Sequence, residues 1–355
     1  MAVVLSVDAM GGDHGVNVTV PACIRFLKEH PDVSLILVGD RDTIYRHVGD
    51  NLSLYSDRID VVHTTEVVAM DESPQSAMRN KKDSSMRVSI NLIKQGKAGA
   101  IVSAGNTGAL MAIARYVLRT MDGIERPAIA KILPTVKSDV CVLDLGANLE
   151  SNPEHLLQFG IMGAQLMKAV TGKAAPSIGI LNIGSEDMKG HEELKKASAL
   201  LKTSGLNFYG NVEGDDINKG TVDVIVCDGF TGNVALKTIE GVAKMIALII
   251  RQEFNRSFLS KLMGLAAMPV LNRVKSTLDH RKYNGAVLLG LNGLVIKSHG
   301  GADEVGFYYA LKQAYHEIDA GVITMLRDYL AKHKEILNRE QPKKELLEFT
   351  DLNML

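Results

Sequence analysis

This chain of 355 residues has little with which to staple itself, cross a membrane or hold a metal. Its three cysteines, Cys23, Cys141 and Cys227, are far apart and form no CxxC pair, which leaves no sign of a thiolate metal site or redox couple. Cys141 and Cys227 sit inside apolar runs, where cysteine acts as a small buried hydrophobe. No uninterrupted apolar stretch reaches the roughly 18 residues that a spanning helix needs. The chain enters the apolar run Val3-Val4-Leu5 without a basic segment or cleavage signal, which sets the expectation of a cytoplasmic protein. An excess of one charge is missing too. With 40 basic and 41 acidic side chains, no global field gathers nucleic acid or an acidic lipid surface, and any anion or membrane site must be local.

Several catalytic signatures are also missing. There is no GxxxxGK triphosphate loop, no GxGxxG dinucleotide loop, no HExxH and no GxSxG elbow. No spaced His and Cys ligand set suggests zinc. The expectation is chemistry with no metal, no cofactor and no covalent enzyme intermediate.

Glycine is abundant: 32 residues recur in short loops after apolar runs. β-Branched runs at 3–8, 34–38, 59–63, 100–103, 128–133, 140–145, 178–183, 207–210, 223–227 and 286–289 alternate with helical patterns at 18–29, 107–119, 153–170, 191–201 and 233–254. Runs apolar throughout suit a sheet covered on both faces. The alternation predicts a three-layer α/β/α fold with a mostly parallel sheet, a single unit over residues 1–335 built of two intertwined lobes. A segment at 254–278 mixes apolar residues with Arg256, Lys261, Arg273 and Lys275, and Gly264 and Pro269 interrupt it. With the preceding helix it predicts a projecting helical hairpin over 233–280. The polar residues 341–355 read as a peripheral tail.

In such folds ligands bind beyond the carboxyl ends of strands, and those positions are rich here. Gly11, Gly12 and His14 follow the first strand. Ser103, Gly105, Asn106, Thr107 and Gly108 follow the fourth, Ser185 lies in Ile-Gly-Ser-Glu, and His299 lies in Lys-Ser-His-Gly. Backbone N–H groups of glycine turns that open helices make anion nests, although the same glycines also serve to close tight turns. Arg79 and Lys82 stand beside Ser84, a phosphate-binding set or a solvated basic helix face. His14 and His299 read as phosphate ligands or as loop-stabilising hydrogen-bond partners. Ile101–Gly108 and Ile225–Gly232 share Ile-Val-x-x-Gly-x-Thr-Gly, which an internal duplication or chance would produce.

Nine collinear motifs carry a resemblance: Asp8-Ala-Met-Gly-Gly-Asp-His14, Arg79-Asn-Lys-Lys-Asp-Ser-Ser85, Ser103-Ala-Gly-Asn-Thr-Gly108, Asp144-Leu-Gly-Ala-Asn148, Pro153-Glu-His-Leu156, Gly184-Ser-Glu186, Lys189-Gly190, Asp228-Gly-Phe-Thr-Gly-Asn233 and Lys297-Ser-His-Gly300. Over residues 3 to about 330 the chain resembles the acyl-ACP:phosphate acyltransferase family. Ser151 stands where many relatives have cysteine, which disfavours a thiol role there. The resemblance implies a fold like the isocitrate and isopropylmalate dehydrogenases and the phosphotransacetylases, and a homodimer. Its implied substrates are acyl carrier protein and inorganic phosphate. The acyl phosphate made would pass to a membrane glycerol-3-phosphate acyltransferase, and so feed phosphatidic acid and phospholipid synthesis. Lys189 and Asn233 map to the implicated catalytic pair.

Three other readings compete: a coenzyme A-dependent acyltransferase of the same fold, a decarboxylating NAD-dependent dehydrogenase, and a membrane-associated scaffold without catalysis. For the hairpin, weak peripheral contact with the inner face of the membrane competes with packing against a second subunit.

Overall fold

The computed structural model describes residues 3–334. Eleven strands among them form one sheet. They are β1 (Val3–Asp8), β2 (Val33–Gly39), β3 (Ile59–His63), β4 (Ala100–Ser103), β5 (Ala128–Leu133), β6 (Val140–Leu143), β7 (Ile178–Leu181), β8 (Phe208–Val212), β9 (Val224–Val226), β10 (Ala286–Leu289) and β11 (Leu294–Lys297). Their order across the sheet is 3-2-1-4-11-10-5-6-9-7-8. The helices are α1 (Val16–Glu29), α2 (Arg41–Val48), α3 (Asn51–Leu54), α4 (Pro74–Asn80), α5 (Ser85–Lys94), α6 (Thr107–Leu118) and α7 (Pro153–Thr171). They continue with α8 (Glu192–Lys202), α9 (Asp216–Lys219), α10 (Gly229–Asn255), α11 (Phe258–Leu278), α12 (Glu304–Asp319) and α13 (Val322–Lys332). Leu294–Lys297, absent from the expected strands, is a strand of four residues. The expected tail at 341–355 lies outside the described residues.

The sheet is parallel within each half, but the halves oppose one another. β3, β2, β1, β4 and β11 run together, as do β6, β9, β7 and β8. Between them β10 is antiparallel to β11 and β5, and β5 is antiparallel to β6, which reverses the second half. Carboxyl-end loops therefore leave the sheet in two directions. They stay close because the strand ends overlap in register. Asp8, Ser103 and Lys297 pair in one cross-strand row that reaches Ala286 on β10, and Val287, Ala130 and Leu143 pair across the sheet one residue from it. Leu143 and Val226, the last residues of β6 and β9, pair with each other one residue beyond that row. At about 3.3 Å per residue, the two sets of strand ends overlap within a few ångströms along the strand direction.

Two cores sandwich the sheet. Phe26, Phe159, Phe307 and Leu326 bury α1, α7, α12 and α13 on one face. Met86, Ile90, Leu110 and Ile113 bury α5 and α6 on the other, where Leu236 and Ile239 of α10 also pack.

The hairpin departs from expectation. α11 runs unbroken through Pro269, whose missing N–H leaves the Leu265 carbonyl without a helical partner. Gly264 marks no break either: Phe254 of α10 packs there, and a Cβ would lie 2.9 Å from its ring. α10 starts at Gly229 and α11 ends at Leu278, so the pair spans residues 229–278 rather than 233–280.

One buried group predicts a pH dependence. Glu317 on α12 is fully buried; Oε1 accepts from Gln313 Nε2 at 2.7 Å, and Oε2 has no partner among the described residues. Burial raises its pKa from 4.5 to about 8. The folded chain therefore holds a proton that the unfolded chain has lost, and this group's contribution to stability falls as pH rises from about 4.5 to 8. Glu317→Gln is expected to raise the melting temperature at pH 8.5 and to change it less at pH 5. Wild-type and variant melting curves that shift in parallel with pH would contradict this.

Candidate active site

The first group of loops is tied together beneath its surface. Asp8, at the end of β1, accepts hydrogen bonds from Ser85 Oγ and Ser103 Oγ, each at 2.6 Å. Burial pushes its carboxyl above the usual range, against the pull of those hydroxyls. Gly105 N–H donates to Ser103 Oγ at 3.1 Å. Gly11 must be glycine, because a Cβ would lie 2.5 Å from Asp8 Oδ2 and 2.9 Å from Gly105 N. Gly12 has a φ of 90° and faces the Gly300 carbonyl, to which Asp13 N–H donates at 3.0 Å. Lys297 Nζ, buried at the end of β11, donates to the carbonyls of Ala104 and Ser298. Burial lowers its pKa to about 8, opposed by Asp8 and Asp13.

Several candidates have internal work here. Asn106 caps α6, accepting from Ala109 N–H at 3.0 Å, while its Nδ2 donates to the carbonyls of Met70 and Glu72 at 2.8 and 2.9 Å. Ser84 caps α5 and donates to the Lys81 carbonyl at 2.8 Å. Gly108 lies under Pro74 of α4, and Thr107 is exposed. His14, Arg79 and Lys82 are exposed as well. His299 Nδ1 accepts from Gly301 N–H at 3.1 Å, so its neutral ring carries the proton on Nε2 as a donor.

The second group follows β6, β9 and β7, which are neighbours. Asp144 accepts from the N–H groups of Ile129, Ala147 and Asn148 and from Asn148 Nδ2, at 2.6–3.0 Å. Asp228 caps α10 through Thr231 N–H at 2.8 Å, and Gly229 N–H donates to the Asn148 carbonyl at 2.7 Å. Asn233, one turn on, is exposed and stands against Gly146, where a Cβ would touch it at 3.7 Å. After β7, Asn182 Nδ2 and Asn211 Nδ2 hold the carbonyls of Lys189 and Glu186 at 3.2 and 3.0 Å. That bracing presents the exposed side chains of Ser185 and Lys189.

Helix α10 joins the two groups. Asn233, Lys237, Glu240 and Lys244 fall on one stripe at helical spacing. Glu240 accepts from Lys237 at 2.9 Å and lies 3.9 Å from Lys131 Nζ on β5. His299 is held below its ordinary pKa by burial first and then by Lys237, with Glu240 opposing. Lys237 and Glu240 on the stripe that carries Asn233 therefore act electrostatically on the loop after β11. Among the described residues no three His, Cys, Asp or Glu side chains gather as a metal site. The three cysteines are buried, which pushes their thiols up and leaves them poor nucleophiles.

A family model described as fatty acid synthesis protein matches residues 3–325. The chain belongs to the fatty acid synthesis protein family. It is 59% identical over 341 residues to a phosphate acyltransferase of Chromobacterium violaceum, covering 96% of this chain and 99% of that one. Its fold resembles a phosphotransacetylase from Streptococcus pyogenes, with a TM-score of 0.58, 14% identity and coverage of 92% and 94% of the two chains. It also resembles a 4-hydroxythreonine-4-phosphate dehydrogenase from Klebsiella pneumoniae, with a TM-score of 0.51, 15% identity and coverage of 89% and 99%. In this fatty acid synthesis protein the sequence reading missed Lys131, Lys237 and Glu240. The available signal was Lys131, a lone cation inside the apolar run Ala128–Leu133.

Proposed function

We propose that this protein transfers an acyl group from acyl carrier protein to inorganic phosphate, making acyl phosphate. The carrying observation is the near whole-length 59% identity to a phosphate acyltransferase. In the reaction a phosphate oxygen bonds to the thioester carbonyl, and the oxyanion formed collapses as the C–S bond breaks. The pantetheine thiolate leaves and takes a proton. Phosphate at neutral pH is already a nucleophile, so the protein's task is positioning and charge stabilisation. Asn233 donates its amide to the oxyanion. Lys189 supplies positive charge to the phosphate or a proton to the thiolate. Phosphate is received where the loops of Gly11–Gly12, Gly105–Gly108 and His299 meet. A direct check is release of carrier thiol from acyl carrier protein, which should require added phosphate; release at the same rate without it would contradict the reading.

Arg79 and Lys82, exposed beside the first loops, dock the acidic carrier or its phosphopantetheine phosphate. Charge reversal at both is expected to raise the KM for acyl carrier protein several-fold, with added salt mimicking the effect. An unchanged carrier KM would remove that role.

The protein works in the cytoplasm as a homodimer that touches the membrane and hands acyl phosphate to a membrane glycerol-3-phosphate acyltransferase. The support is the hairpin's apolar surface: Met245, Leu248 and Ile249 on α10 and Phe258, Leu259, Leu262, Leu265 and Val270 on α11 are exposed. No helix among the described residues is long and apolar enough to cross a membrane. Liposome flotation of the triple variant Leu262→Glu, Leu265→Glu and Val270→Glu is expected to fall sharply while activity in solution persists. Equal flotation places the contact elsewhere, and collapse to inactive monomers assigns the surface to the dimer.

A further inference from the structure

We propose that Lys131 and Lys237 are the cationic seat of inorganic phosphate, one helical turn from Asn233. The inference rests on the acyl transfer read above and names the subsite that binds the acceptor.

Among the described residues the ion pairs of both lysines go to the same carboxylate, Lys237 at 2.9 Å and Lys131 at 3.9 Å from Glu240. Two ammonium groups on one carboxylate leave a unit of positive charge uncompensated. The surplus is not on open surface. The side chains of Lys131 and Glu240 are only 14% and 20% exposed, whereas Lys237 at 54% keeps one side of the cluster open to a small solute. Weak screening makes the surplus attractive to a dianion.

The surroundings strengthen this charge. Lys297 is on β11 and Lys131 on β5, with only β10 between them, and the positive charge of Lys297 acts against that of Lys237. The charges of Lys237, Glu240, Lys244 and Lys297 all act on His299, whose neutral ring carries its proton on Nε2 as a donor. The anions acting on this group are Glu240, Asp8, which is satisfied by two serine hydroxyls, and Asp13. Burial, with Lys237 adding to it, depresses the pKa of Lys131; a bound dianion would act against both by attracting the charged ammonium. The amide of Gly105 and the side chains of Ser84 and Asn106 are engaged within the protein, so the glycine loops form walls and the lysines supply the charge.

The position suits the reaction. Asn233 and Lys237 are four residues apart on one helix, about 6 Å along the axis. A phosphate seated on Lys237 and Lys131 has an oxygen within reach of a carbonyl whose own oxygen accepts from Asn233.

The phosphopantetheine of the carrier offers the same chemistry as free phosphate, and kinetics separates them. Full-length Lys131→Met and Lys237→Met are compared with wild type for the KM of phosphate, the KM of acyl carrier protein, and calorimetric binding of inorganic phosphate without an acyl donor. Each variant is expected to raise the phosphate KM by about tenfold or more, the loss typical of one charge-assisted contact, and to lose the binding heat in parallel. The carrier KM stays within about twofold. Lys237→Arg, which keeps the charge, retains most phosphate affinity. Unchanged phosphate binding in the methionine variants overturns the proposal, as does a rise confined to the carrier KM. Should Lys131→Met fail to fold, Lys237→Met, at an exposed helix position, decides alone. A wild-type protein that binds phosphate yet forms no acyl phosphate would sink the acyl-transfer reading, and the calorimetry would still decide the seat.

Discussion

Lys189→Ala and Asn233→Ala are each expected to lower turnover by about 10² to 10³-fold with little change in melting temperature. Both side chains are exposed, so truncation opens no cavity in the core. Asn233 does not cap its helix, since Asp228 has that role, and the loop carrying Lys189 is held by its backbone through Asn182 and Asn211. In the proposed mechanism each substitution removes a donor aimed at charge that develops during the reaction. The loss should fall on kcat more than on either KM. Steady-state kinetics beside a thermal melt checks this; near wild-type turnover in a normally folded variant would remove that residue from the mechanism.

Gly232→Ala is expected to destabilise the protein by about 3 kcal/mol and to abolish most activity. The cause is steric and backbone-borne. A Cβ at Gly232 would lie 1.9 Å from the Asp144 carbonyl oxygen and 2.9 Å from Cys227 Sγ. Neither can swing aside, because Asp144 is fixed by its hydrogen-bonded loop. The start of α10 must lift away, and Asn233 moves with it. Gly241, on the same helix, has nothing within 4 Å of its would-be Cβ. Gly241→Ala should therefore be neutral or stabilising by up to about 1 kcal/mol from helix propensity. The contrast is the measurement: equal melting temperatures for the two variants would show that the close approach to Asp144 is not a constraint.

Much of this architecture could be read from local pattern. The strands at 3–8, 59–63, 100–103, 128–133 and 286–289 stand where their apolar runs placed them, because a buried strand writes its whole length in hydrophobic residues. The reversal of the second half was not legible. Strand direction is set by which neighbours pair across β10 and β5, and no single run encodes that. The repeated Ile-Val-x-x-Gly-x-Thr-Gly motif shows a similar limit. In both copies a strand leads to a helix, yet Asn106 caps α6 while Asp228 caps α10 two motif positions earlier. Equal residues therefore occupy different helix positions.

The site divides in the same way. Loop membership of His14, Ser185 and His299 was visible from glycine spacing, but the internal work of Ser84, Ser103 and Asn106 appears only once Asp8, Lys81 and Met70 are in place. Pro269 misled because an exposed helix tolerates a lost hydrogen bond that a buried one would not. Lys131 was overlooked because a cation in a strand acquires meaning from Glu240 and Lys237, which lie more than a hundred residues away in the chain.

Acyl-phosphate formation tests the central claim most directly. The protein is incubated with phosphate and long-chain acyl carrier protein, with acyl coenzyme A in a parallel reaction, and the product is trapped with hydroxylamine. The account predicts a hydroxamate that requires both phosphate and enzyme, forms faster from the carrier-bound donor, and is nearly lost in Lys189→Ala and Asn233→Ala. Intact acyl carrier protein and no hydroxamate after incubation with folded wild-type enzyme would contradict it.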